Sequence, residues 1–180
     1  SRPKGVMLTH GNLAQQINMI YGLYPIGPED SMLSVLPLSH TYECSLGMLY
    51  VFATGASTTY LQKPPTAAVM LPALKKVRPT CFLIVPLIIE KVVRKAVMQK
   101  ISDPKIKLLL KTPIIGRKIK DKICQGIRNA FGGNFYEVVI GGAAMNQEVE
   151  ALLHDIGFNF TVGYGATECA PLISCEDWKD

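Results

Sequence analysis

Tyr136-Glu137-Val138-Val139-Ile140-Gly141-Gly142-Ala143-Ala144 leads through Asn146–Ile156 to Gly157-Phe158-Asn159-Phe160-Thr161-Val162-Gly163-Tyr164-Gly165-Ala166-Thr167-Glu168. This reads as strand, helix and strand. Tyr136–Ile140 and Phe158–Val162 are short runs rich in β-branched and aromatic residues, each stopped by glycine. Between them, Asn146 is a good N-cap, with Glu148 in the first turn where the helix dipole favours negative charge. Gly157 stands where a left-handed residue closes a helix. A βαβ unit of this length requires a parallel pair with a crossover helix.

The pattern extends upstream. Apolar or β-branched runs at Leu33–Leu38, Ala56–Leu61 and Thr80–Val85 predict three more strands. Cys81-Phe82-Leu83-Ile84-Val85 shows no polar alternation, as expected of a central strand covered on both faces. Helical spacing is expected from the capping candidate Thr9 to about Tyr24, and over Ser39–Ala53, Pro72–Val77, Pro86–Ile101, Arg117–Phe131 and Asn146–Ile156. The expected fold class is α/β, a mainly parallel sheet with crossover helices.

Composition sets the outer bounds. A chain of 180 residues, 48% hydrophobic and 18% charged, has the makings of a folded core and not of a disordered tail. The uncharged stretch between Glu43 and Lys63 is long enough to span a bilayer, but Gly47, Thr54, Gly55, Ser57, Thr58 and Thr59 make it too polar. No signal-like apolar run opens the chain. Five cysteines without a CxxC spacing imply neither a disulfide framework nor a zinc site, and Cys81 is expected to be a buried small hydrophobe. A cytoplasmic location follows as the expectation.

The net charge of +5 is unevenly spread. Residues 91–128 carry twelve Lys or Arg against Asp103 and Asp121. A basic helical insert over 91–131 could face an anionic membrane, a nucleic acid or CoA phosphates, or form a solvated helix face. Ile119, Ile123, Ile127 and Phe131 recur every four residues with Lys and Arg between them, which favours the solvated face. No aromatic residues interleave with the charges, which argues against a nucleic-acid partner.

Chemistry is expected at the strand ends, where open α/β sheets bind ligands. Gly141, Gly142, Ala143 and Ala144 leave room for a flat ring against backbone. Gly163, Tyr164, Gly165 and Ala166 combine close backbone approach with an aromatic stacking face. Thr167 and Glu168 place a hydroxyl beside a carboxylate, suited to a phosphoryl oxygen and a hard cation such as Mg²⁺. At the N-terminus, Lys4 and Gly5 precede a helix start, where phosphates can be held.

Pro3-Lys4-Gly5-Val6 with Thr9-His10, Leu36-Pro37-Leu38-Ser39-His40, Gly141-Gly142-Ala143 and Gly163-Tyr164-Gly165-Ala166-Thr167-Glu168 together resemble, in order, four motifs of the adenylate-forming superfamily. Val85-Pro86-Leu87-Ile88-Ile89-Glu90-Lys91 and the basic insert resemble its long-chain fatty acid–CoA ligases. Leu87 and Ala144 depart from that branch, which commonly has a bulky or basic residue and a proline there.

The resemblance implies activation of a fatty acid carboxylate by Mg·ATP to acyl-AMP, followed by thioester formation with CoA. Glu168 would hold Mg²⁺, Thr167 would contact the α-phosphate, and Lys4 the outer phosphates. Tyr164 would stack on adenine opposite Gly142, Ala143 and Ala144. His40 would sit where acyl and phosphate meet, with Tyr42 and the helix after it lining the acyl tunnel, while His154 is read as surface. It also implies that most of the phosphate loop, a ribose-binding Asp and a lid with a catalytic Lys lie outside residues 1–180. The chain is therefore expected to be an N-terminal-domain fragment, inactive alone; peripheral membrane contact through the basic 91–128 segment stays open beside the solvated-face reading. Competing readings are activation of an aryl or amino acid, or a non-catalytic nucleotide-binding α/β domain. Against the latter, a decayed site has no reason to keep Thr167 and Glu168.

Overall fold

The computed structural model describes residues 4–94, 97, 104–110 and 112–176. Of the features read from sequence, Arg2, Pro3 and parts of the 91–131 insert lie outside the described residues. Among the described residues six strands form one sheet in the order β2-β1-β3-β4-β5-β6: β1 (Ser31–Ser34), β2 (Ser57–Tyr60), β3 (Cys81–Ile84), β4 (Glu137–Gly141), β5 (Phe160–Gly165) and β6 (Leu172–Glu176). Every neighbouring pair is parallel except β5 and β6.

Five of these strands were legible, and β6 was not. An antiparallel partner can follow its neighbour by a short turn, so β6 brings no crossover helix to announce it. The first strand also ends sooner than its apolar run suggests. Pro37 cannot donate to a ladder, and Leu36–Ser39 turns away to bring His40 onto the sheet's rim.

Period-two alternation divides the core. Phe82 and Ile84 of β3, with Leu33, Val138, Ile140 and Phe160, face one layer. That layer holds α3 (Ala67–Val77), α4 (Pro86–Val93), α6 (Pro113–Ala130) and α7 (Gln147–Asp155), with α5 (Pro104–Leu110) packed on α6. Phe82 lies between Phe131 and Phe135, at ring separations of 5.4 and 5.5 Å. Cys81 and Leu83, one residue out of phase, join Met32 on the opposite face. There they meet α1 (His10–Leu23), a π-helical segment Glu43–Leu49, and α2 (Tyr50–Ala53), which continues it.

The helix ends follow the sequence. Thr9 caps α1 in a reciprocal box with Asn12, and the Asn146 side chain accepts from the backbone N–H groups of Glu148 and Val149. Asn146 also donates its own N–H to the Glu90 carboxylate at 2.9 Å, tying α7 to α4. Gly157 has φ +68°, the left-handed closure its position required. Pro72 sits inside α3, which therefore starts earlier than a helix beginning at Pro72. Among the described residues no helix is long and apolar enough to cross a membrane.

Candidate functional site

Gly141 of β4 pairs directly with Gly163 of β5, and both lie on the sheet face toward the π-helical segment. Two side-chain-free positions abreast leave a flat patch at the carboxyl ends of the strands. The Tyr42 ring lies across it, so close that a Cβ on Gly141 would sit 3.3 Å from both Tyr42 and the Gly163 carbonyl. The Tyr42 hydroxyl donates to the Val139 carbonyl at 3.1 Å. Burial pushes its pKa up, with Glu43 adding to the effect, so Tyr42 is a neutral donor.

Beside this patch opens a cavity of about 170 Å³. His40, Tyr42, Gly141, Gly142, Gly163, Tyr164, Gly165, Ala166 and Thr167 all border it. Two glycine turns, His40 from the loop after β1, and Thr167 thus meet in one place, although up to 127 positions separate them. Tyr164 is 67% exposed at the rim, leaving a ring face free for a ligand. Ala143 and Ala144 are exposed and stand outside the cavity's lining, as does the exposed Lys4.

His40 is oriented by backbone. Its Nδ1 accepts from the Tyr42 N–H at 3.2 Å, which puts the proton of the neutral ring on Nε2 and makes that atom the available donor. Glu168 follows Thr167 in the 3₁₀ turn Thr167–Cys169, but it borders a neighbouring hollow with Asn12, Gln15 and Gln16. No group of three or more potential metal ligands occurs among the described residues. One carboxylate nevertheless suits Mg²⁺, which keeps most of its shell as water and substrate phosphate.

Several contributors gave no sequence signal. The Gln16 amide donates to the carbonyls of Cys169 and Leu172, both at 3.0 Å, and accepts from the Leu172 N–H. The Ser45 hydroxyl donates to the Ala170 carbonyl. Together they fix the turn that carries Thr167 and Glu168 to the helical layer. Gly165 allows that turn to close: a Cβ there would lie 2.3 Å from the Pro171 carbonyl. Tyr24, Leu46, Val139, Pro171, Leu172 and Cys175 complete the lining.

Below the cavity, sharing Tyr24, Leu46 and Val139 with it, lies an apolar recess of about 30 Å³ that reaches Met32, Leu83 and Glu137. Cys81 borders this recess and is buried, as its apolar run implied. His154 is exposed on α7, with its ring 4.8 Å from Phe160.

Glu43 is the least expected group. It opens the π-helical segment fully buried, folded over Gly47, and neither carboxylate oxygen has a hydrogen bond of normal geometry among the described residues. Burial pushes its pKa up to about 7, the Ser34 hydroxyl only partly opposing the shift.

An open, mostly parallel α/β sheet with a ligand cavity at its strand ends defines the class of protein. The particular family follows from comparison: the AMP-binding enzyme family matches residues 1–180, and the chain belongs to it. It is 26% identical to the rat long-chain-fatty-acid–CoA ligase ACSBG2 across 97% of this chain and 30% of that protein. It is 28% identical to yeast long-chain-fatty-acid–CoA ligase 4 across 92% and 26%.

Among solved structures it superposes on the O-succinylbenzoate CoA synthetase of Bacillus subtilis in complex with AMP. The TM-score is 0.71 at 17% identity, over 99% of this chain and 30% of that one. A long-chain-fatty-acid–CoA ligase of Archaeoglobus fulgidus gives a TM-score of 0.67 over 98% and 31%. The chain thus spans under a third of these relatives.

Proposed function

We propose that this chain is the nucleotide-cradling part of an acid–thiol ligase: a fatty acid carboxylate attacks the α-phosphorus of ATP to give acyl-adenylate and pyrophosphate, and the CoA thiol then displaces AMP to give acyl-CoA. The supporting observation is the convergence of His40, the paired glycine strands, Tyr164 and Thr167 on a single cavity.

In this reading the adenine ring lies against Tyr164 and the backbone of Gly142, with Ala143 and Ala144 at the outer end of that wall. Thr167 donates its hydroxyl to the α-phosphate, and Lys4 serves the outer phosphates. Glu168 would hold Mg²⁺, which would neutralise phosphate charge. His40 presents Nε2–H to the oxygens where carboxylate and α-phosphorus meet. None of these residues need transfer a proton for the carboxylate to attack; they position the partners and offset developing charge. The acyl tail points from the rim past Tyr42, Leu46 and Val139 toward the mostly apolar recess.

The test is substrate-dependent ATP–pyrophosphate exchange by the full protein carrying this chain, with fatty, aryl and amino acids compared. Exchange driven by fatty acids is expected. Exchange driven only by aryl or amino acids would overturn the substrate assignment, and none with any carboxylate would overturn the activity.

A further inference from the structure

Among the described residues, none of the basic insert at 91–131 borders the cavity. Residues 104–130 hold eight Lys or Arg against Asp121 alone, and no aromatic residue. α5 and α6 form a tight hairpin. The Thr112 hydroxyl donates to the Leu109 carbonyl at 2.6 Å, and the Gly116 N–H donates to the Thr112 carbonyl at 2.8 Å. A Cβ on Gly116 would stand 2.4 Å from the Leu110 carbonyl, so only glycine lets the two helices approach this closely.

The turn presents apolar side chains to solvent where polar ones would be expected. Leu108 is 70% exposed and Ile114 74%, with Leu109 and Ile115 exposed beside them. Arg117, Lys118 and Lys122 are exposed on the following turns of α6. Beyond its first two turns α6 is anchored to the body: Ile127 is buried, and Lys120 pairs with Asp155 of α7 at 2.5 Å. The apolar tip is therefore held out on a fixed support.

We infer that the tip formed by Leu108, Leu109, Ile114 and Ile115 docks on an anionic lipid bilayer, the apolar side chains entering the interface while the flanking Lys and Arg meet lipid phosphates. The charge decides between occupants. A second copy would bring an equally basic tip against this one. A nucleic acid would satisfy the cations but leave four aliphatic side chains against phosphate. An anionic membrane satisfies both.

The experiment is co-sedimentation of the full protein with phosphatidylcholine vesicles, with and without phosphatidylserine, at low and high salt. Ile114→Ser combined with Ile115→Ser falls in the first turn of α6, where serine is well tolerated, so circular dichroism and the melting temperature should not move. Binding to the anionic vesicles only is expected, weakened about fivefold by Lys118→Glu and at least about tenfold by the double serine variant. Leu108→Ser supplies a second apolar deletion should the first disturb the hairpin. Absence of binding to anionic vesicles would overturn the inference. So would binding that both serine variants leave unchanged, and heparin binding equal to vesicle binding and equally insensitive would assign the surface to a polyanion instead.

Discussion

Replacing Glu43 by glutamine should stabilise the protein at alkaline pH and leave it unchanged in acid. The carboxyl group is fully buried without a hydrogen-bond partner of normal geometry among the described residues, and burial raises its pKa from 4.5 to about 7. At about 1.4 kcal/mol per unit, ionising it inside the fold costs about 3 kcal/mol relative to ionising it in the unfolded chain.

The sign follows from proton counting. Between pH 4.5 and 7 the native state binds the proton that the unfolded chain has released. The stability linked to Glu43 is therefore complete below about pH 4.5, falls as pH rises through 7, and is flat above. Glutamine keeps the shape and removes the ionisation.

Urea denaturation of both proteins from pH 4 to 8 measures the difference, and the other carboxylates cancel in the comparison. Near pH 4 the midpoints should agree. At pH 8 the variant's midpoint should be higher by about 1.5 M, taking a slope of about 2 kcal/mol/M. Parallel pH profiles, or a variant less stable at pH 8, would refute the claim that Glu43 is held neutral by desolvation.

Gly165→Ala places a methyl group 2.3 Å from the Pro171 carbonyl and must force β5 and β6 apart. Destabilisation by about 2 kcal/mol and loss of ATP binding in calorimetry are expected. Tyr164→Ala should weaken ATP binding by roughly tenfold without shifting the melting temperature, because the ring is already exposed, and Tyr164→Phe should restore it. A fluorescent-nucleotide titration checks both. Leu46→Trp fills the neck between cavity and recess, so the exchange assay across acyl lengths should show loss of the longest substrates and retention of the shortest.

The glycine turns, the caps at Thr9 and Asn146, the closure at Gly157 and five of six strands could be read along the chain, because each depends on residues within a few positions of one another. That locality also made the order of motifs legible, and with it the resemblance to adenylate-forming enzymes. Nothing local could reveal that Gly141 and Gly163 stand abreast, since register between strands is settled by packing of both faces. The tertiary structure alone recruited Gln16 to the rim from 153 residues away and folded β6 back on β5 without a helix between them. It also sealed Glu43 from water inside a π-helical turn, where sequence spacing suggests an ordinary amphipathic helix. Local propensity chose the elements; the space left between them decided which side chains meet a ligand.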